Sequence, residues 1–323
     1  MKVRFTILHP GKTATGLKVP AEIVESFGAV FIILTVLTIS SCNNSQDTKM
    51  NKSSTETKEV KQDSISGYAS VNGLNMYYEI HGTGTPLVLI HGGGSTIQSS
   101  FGRVLHSFAK DRQVIAVELQ GHGHTADIDR PETFEQDADD VAALLKFLKI
   151  GNADFFGFSN GGNTTMQIAI RHPDFVRKII LGSAFFKRSG IYPQFWESIK
   201  HATLMDMPQQ LKDEYKKVAP DSNKLINMFE KDKKRMVEFS DWKAEDIHSI
   251  NAPALIIIGD EDVVSPEHAV EMYRLIPNCQ LAIIPGGHGK YIGEITTLSN
   301  DNRDTVFVVP LIEEFLNNQN KKK

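Results

Sequence analysis

The stretch Gly157-Phe158-Ser159-Asn160-Gly161-Gly162 sets a serine between an apolar run, Ala153 to Phe156, and a helical pattern, Asn163 to Arg171. A serine in a tight strand-to-helix turn has its hydroxyl pushed clear of the sheet, with neighbouring backbone N–H groups aimed at whatever it attacks. Side chains two residues to either side would collide with the turn, which accounts for Gly157 and Gly161. The chemistry implied is attack on a carbonyl, and a hydroxyl needs a base in contact and a group that orients the base. Histidine is the natural base because its pKa lies near the working pH. Of eleven histidines, His288 follows the apolar run Leu281 to Ile284 in a glycine-lined loop, Pro285-Gly286-Gly287-His288-Gly289. Gly259-Asp260-Glu261-Asp262, directly after Ala254 to Ile258, supplies an orienting acid.

A second glycine-rich turn, His91-Gly92-Gly93-Gly94-Ser95, follows the apolar run Leu87 to Ile90. Three glycines let a backbone approach a ligand closely and leave N–H groups free for a developing negative charge. A phosphate cradle is the other use of such a turn, but the Gly-Lys-Ser/Thr ending and the G-x-G-x-x-G spacing are both missing. With the Ser159 turn it reads as half of an oxyanion hole, the other half being the Asn160 N–H. His91 is expected to brace the loop. His122 and His124 are spaced like a metal pair but lack carboxylate or cysteine partners at metal spacing, so a solvated or loop-bracing role is expected.

These residues need elements to carry them. Asn72-Gly73 between Ser70-Val71 and Met76 to Ile80 is a hairpin signal. Continuous apolar runs follow at 87–90, 114–117, 153–156, 179–181, 254–258 and 281–284, the mark of strands buried on both faces of a parallel sheet. Helical patterns lie between them at Phe101 to Ala109, Thr133 to Leu148, Asn163 to His172 and Glu267 to Leu275. Alternating strands and helices predict an α/β fold with a doubly wound, mostly parallel sheet.

The order serine, acid, histidine on such a sheet resembles the α/β-hydrolase superfamily. The resemblance covers about residues 68–318 and rests on His91-Gly92-Gly93, Gly157 to Gly161, Gly259 to Asp262 and His288. The loop Val117 to Thr125 also fits, and Glu118 to Pro131 is similar to a subset of small bacterial hydrolases of mostly undefined substrate. The resemblance implies that Asp262 orients His288, that Asp260 is a turn residue, and that the N–H groups of Gly93 and Asn160 receive the oxyanion. It implies a helical lid at about 187–246, whose Asp213 to Lys234 run of charge reads as a solvated helix surface. Serine rather than aspartate at 159 argues against the dehalogenase and epoxide-hydrolase branches. The expected activity is acyl transfer on a small carboxylic ester or lactone, with no metal or organic cofactor. Carbon–carbon bond hydrolysis, thioester hydrolysis and perhydrolysis would use the same triad, and a lipid-anchored binding protein without turnover is the reading from another class.

The N-terminus carries a different message. Phe27 to Ile39 is thirteen almost wholly apolar residues before Ser40-Ser41-Cys42, too short for a spanning helix and right for a signal-peptide core. Residues 1–41 are expected to be a lipoprotein-type signal, Cys42 the lipid-bearing residue, and 42–66 a polar tether before a folded domain at 67–323. Glu22 and Glu25 sit where a leader would carry positive charge. A mis-assigned start and a cytoplasmic chain are the alternative to lipid anchoring in a bacterial cell envelope. Four basic and two acidic residues precede Cys42 in a chain of net charge −4, so the remainder carries about −6 and offers nothing to nucleic acid. Two cysteines exclude a disulfide framework.

Overall fold

The computed structural model describes residues 64–298 and 306–318; the expected leader, Cys42 and nearly all of the expected tether lie outside the described residues. The chain enters a strand at Ser64: β1 (Ser64–Val71) and β2 (Leu74–His81) form a hairpin. Asn72 and Gly73 turn it with φ of 49° and 83°, the left-handed pair that a two-residue hairpin loop demands. Next come β3 (Thr85–Ile90), α1 (Ile97–Phe101), α2 (Leu105–Phe108), β4 (Arg112–Val117) and α3 (Phe134–Phe147). The expected single helix over 101–109 is therefore two short ones, broken at Gly102. β5 (Ala153–Phe158), α4 (Asn160–Arg171) and β6 (Val176–Gly182) follow, and α4 begins three residues earlier than its apolar pattern predicts.

Between β6 and β7 (Ala254–Glu261) lies a helical insertion of α5 (Pro193–His201), α6 (Gln209–Val218), α7 (Ser222–Val237) and α8 (Ala244–His248). The chain then forms α9 (Pro266–Leu275), β8 (Cys279–Gly287) and α10 (Val308–Asn317). Among the described residues no helix is long and apolar enough to cross a membrane. The eight strands make one sheet in the order β1-β2-β4-β3-β5-β6-β7-β8, antiparallel at β1/β2 and β2/β4 and parallel elsewhere.

Alternation along each strand explains why the apolar runs are continuous. Val88 and Ile90 of β3 join the core under α3, α4 and α9, while Leu87 and Leu89 join the core under α1, α2 and α10. Phe155 and Phe156 divide the same way, the latter packing edge-on against Phe101 and Phe108 at 5.3 and 6.3 Å. With both faces covered, a polar residue in these strands must be paired, as Asp154 of β5 is with Arg112 and Arg177.

The glycines at the β5–α4 turn are a packing requirement. A Cβ on Gly161 would overlap the carbonyl oxygens of Ile90 and His91, and one on Gly157 would overlap the Gly161 carbonyl and the Thr165 hydroxyl. Backbone carbonyls at the end of β3 and in the first turn of α4 cannot step aside as a flexible side chain can, so α4 reaches this position only without side chains at 157 and 161. Gly161→Ala should destabilise the fold by about 3 kcal/mol in urea unfolding. Gly151→Ala, with nothing within 4 Å of the added carbon, should stay within about 0.5 kcal/mol of the wild type.

Candidate active site

Ser159 occupies the turn with φ 54° and ψ −121°, a conformation that costs a non-glycine residue energy. Hydrogen bonds hold it there: its N–H donates to Gly182 O at 2.7 Å, and its carbonyl accepts from Gly162 N at 2.8 Å. The structure brings three of the sequence-predicted residues into one line. His288 Nε2 lies 3.0 Å from Ser159 Oγ, and His288 Nδ1 lies 2.7 Å from Asp262 Oδ1. Each comes from the carboxyl end of a parallel strand or the loop beyond it: Ser159 after β5, Asp262 after β7, His288 after β8.

Asp262 is buried, and its carboxylate is fully engaged. Oδ1 also accepts from Val264 N at 3.2 Å, while Oδ2 accepts from Ser183 Oγ at 2.6 Å and Gly259 N at 3.4 Å. Burial works to raise its pKa, but the His288 charge and these hydrogen bonds outweigh it and hold the group below the ordinary value. Burial likewise works against the charged form of His288, and Asp262 overcomes it, so the imidazole pKa is raised. Ser183 and Tyr291, whose hydroxyls lie 2.9 Å apart, complete the shell. No sequence motif marks either residue, although Ser183 directly follows β6, in the same place that carries Ser159 after β5. Asp260 does the structural work expected of it, accepting Gly286 N at 2.8 Å.

The glycine turn after β3 lies against the Ser159 turn so closely that a Cβ on Gly93 would overlap the Asn160 side-chain amide. Among the described residues neither the Gly93 nor the Asn160 N–H has a hydrogen-bond partner. His91 braces this turn: its Nδ1–H donates to Gly92 O at 2.7 Å and its Nε2 accepts from Leu119 N at 3.1 Å. Burial and the charge of His122 push its pKa down to about 4, which keeps it neutral. His122 is buried rather than solvated. Burial lowers its pKa, but Asp232 at 2.9 Å more than reverses this and raises it to about 9. His124 pairs with Glu118 at 2.8 Å. Among the described residues no group of three or more His, Cys, Asp or Glu could hold a metal ion.

Ser159, Asn160, Gly93 and His288 open into a cavity of about 350 Å³ lined mainly by apolar side chains. Phe195, Met207, Met228 and Phe229 of the insertion roof it, while Tyr192 and Met205 face solvent. The charge run 213–234 is largely the solvated helix surface expected of it, with Asp232 as the exception. Asp232 is buried and reaches the glycine turn, accepting Gly94 N at 2.5 Å. The signal was present: Leu225, Met228, Phe229, Asp232 and Met236 follow helical spacing, so Asp232 sits on the buried face of α7.

A family model for the alpha/beta hydrolase fold matches residues 85–241. The chain has the α/β-hydrolase fold. Serine hydrolase BPHL of Homo sapiens is 26% identical over 251 residues, 73% of this chain and 85% of that protein. The 2-hydroxymuconate semialdehyde hydrolase of Pseudomonas sp. (strain CF600) is 37% identical over 119 residues, 35% of this chain and 41% of that protein. The crystal structure of the enol-lactonase from Burkholderia xenovorans LB400 matches with a TM-score of 0.60 at 22% identity, covering 77% of this chain and 99% of its own. The family-model match and the sheet topology agree on the α/β-hydrolase fold.

The opposed forces on the imidazole give a test that needs no substrate. In an NMR titration the His288 ring should titrate above about 6.5, the ordinary histidine value. In Asp262→Asn the balancing charge is gone and burial remains, so the titration should move below that value.

Proposed function

We propose that the protein is a serine hydrolase that acts by acyl transfer on small carboxylic esters or lactones. The observation that carries this reading is the hydrogen-bonded line Ser159–His288–Asp262, with steps of 3.0 and 2.7 Å, at the floor of a largely apolar cavity. Ser159 Oγ attacks the carbonyl carbon while His288 Nε2 takes its proton, and Asp262 steadies the imidazolium that forms. The Gly93 and Asn160 N–H groups receive the oxyanion, each contributing about 3 kcal/mol in comparable sites. His288 then protonates the leaving alkoxide, and water activated by the same nitrogen releases the acid and restores Ser159. No metal or organic cofactor enters these steps.

Carbon–carbon bond hydrolysis is the second reading, favoured by the 37% identical stretch shared with a semialdehyde hydrolase. Both use the same residues, and product analysis separates them: an ester yields an acid and an alcohol, a cleaved carbon–carbon bond an acid and a protonated carbon fragment.

Hydrolysis of a chain-length series of p-nitrophenyl esters should show saturable turnover, with Ser159→Ala and His288→Ala each lowering kcat/KM by at least about 10³-fold. Absence of turnover together with failure of a phosphonate probe to label Ser159 would refute the hydrolase reading. The pH profile has a fixed sign. His288 must be neutral to accept the serine proton, so kcat/KM falls as pH drops through its raised pKa, with the acid limb centred above about 6.5.

The sequence also supports a lipid anchor, and the proposal extends to it: the mature chain begins at Cys42, carries acyl groups there and stands on a bacterial membrane. Mass spectrometry of protein from membranes should find an acylated Cys42 as the first residue. Recovery of Met1 on a chain made in cells competent for lipoprotein processing would exclude this.

A further inference from the structure

Three consecutive glycines hold no conformation by themselves, so the aim of the Gly93 N–H depends on what grips its neighbours. On the sheet side Gly92 N–H donates to Ser100 Oγ at 3.2 Å and Gly92 O accepts from His91. On the outer side Gly94 N–H donates to Asp232 Oδ2 at 2.5 Å, and Asp232 belongs to α7, 138 residues further along the chain. Met207, also in the insertion, closes over the same turn, its Cε 3.2 Å from where a Gly94 Cβ would stand.

Asp232 does not grip the turn alone. Its Oδ2 also meets His122 Nε2 at 2.9 Å, and its Oδ1 accepts from Arg235, which donates in turn to Asp137 of α3 at 2.8 Å. One carboxylate thus joins α7, the glycine turn and the loop after β4, and reaches α3 through Arg235. The rest of that face of α7 is Leu225, Met228, Phe229, Arg235 and Met236, and the carboxylate balances the buried charges of Arg235 and His122. It also supplies a charge-assisted bond to a backbone N–H next to Gly93.

We propose that Asp232 is a positioning residue that ties the aim of the Gly93 N–H to the seating of α7, so that acyl transfer proceeds only with the helical insertion closed. The proposal rests on the serine-hydrolase reading. A substrate that holds α7 away from the glycine turn then loses rate rather than affinity, because the oxyanion donor matters in the transition state and not in the bound ester.

The test compares the full-length wild type with Asp232→Ala and Asp232→Asn in hydrolysis of p-nitrophenyl butyrate. It also measures affinity for a boronic acid that forms a tetrahedral adduct on Ser159. In Asp232→Ala, kcat should fall about 10- to 100-fold and boronate affinity by a similar factor, with KM within about twofold. Asp232→Asn retains an oxygen that can accept Gly94 N–H and should recover most of the loss. A folded Asp232→Ala with unchanged kcat and boronate affinity, or with a change in KM alone, overturns the proposal. A measurement on the wild type covers the case in which Asp232→Ala does not fold. By NMR, the Gly94 amide should exchange through the same opening as the amides of α7 around Asp232; exchange of Gly94 independent of α7 overturns the proposal. A wild type that neither hydrolyses an ester nor reacts with a phosphonate refutes the hydrolase reading instead, and the exchange experiment then decides the tie between α7 and Gly94 on its own.

Discussion

A pair made of a fully buried carboxylate and an imidazole that opens onto the cavity governs the site. Asp262 is buried, and burial alone would drive its proton on, while burial alone would drive the proton of His288 off. Their contact at 2.7 Å reverses both tendencies. The result is an imidazole whose orientation and tautomer are fixed by a carboxylate that has no other freedom, since Ser183, Gly259 and Val264 take its remaining acceptor positions. The parallel sheet is what makes this possible. Strand ends at β5, β6, β7 and β8 deliver Ser159, Ser183, Asp262 and His288 to one edge, and the two cores beneath keep those ends in register.

Much of this was legible because it rests on local chemistry. Gly157 and Gly161 announce a turn that tolerates no side chain, and the continuous apolar runs announce strands covered on both faces. Other features depend on contacts between distant segments. Ser183 is an ordinary serine until β6 sets it beside Asp262, and α10 belongs to the core only because the chain returns across the sheet. Asp232 lay in a run of lysines and acids whose charge masked its helical phase. The helix 101–109 was misread because Gly102 sits inside an apolar pattern that continues across the break.

Charge is handled in opposite ways on the two sides of the glycine turn. The triad side pairs one carboxylate, Asp262, with one imidazole, and Glu294 is a further buried acid close enough to act on His288. The α7 side is a buried array in which Asp232, Arg235, His122 and Asp137 meet, with Glu132 pushed up to about 8 by burial and by the Asp232 charge. Such arrays are costly to break and poor at tolerating partial loss, because each remaining ion is left in a low-dielectric setting. That rigidity suits a surface against which a loop of glycines must be held.

The backbone of Ser159 leads to a last consequence. Its φ of 54° is a conformation glycine adopts without penalty and serine does not. The fold therefore holds the proposed nucleophile against a local preference for a residue without a hydroxyl, and the most restful version of this turn is one that could not attack a carbonyl. Selection for thermal robustness alone would favour chains that keep the sheet, the cavity and the insertion but have lost the hydroxyl. A serine at 159 is a residue that stability by itself would not have chosen.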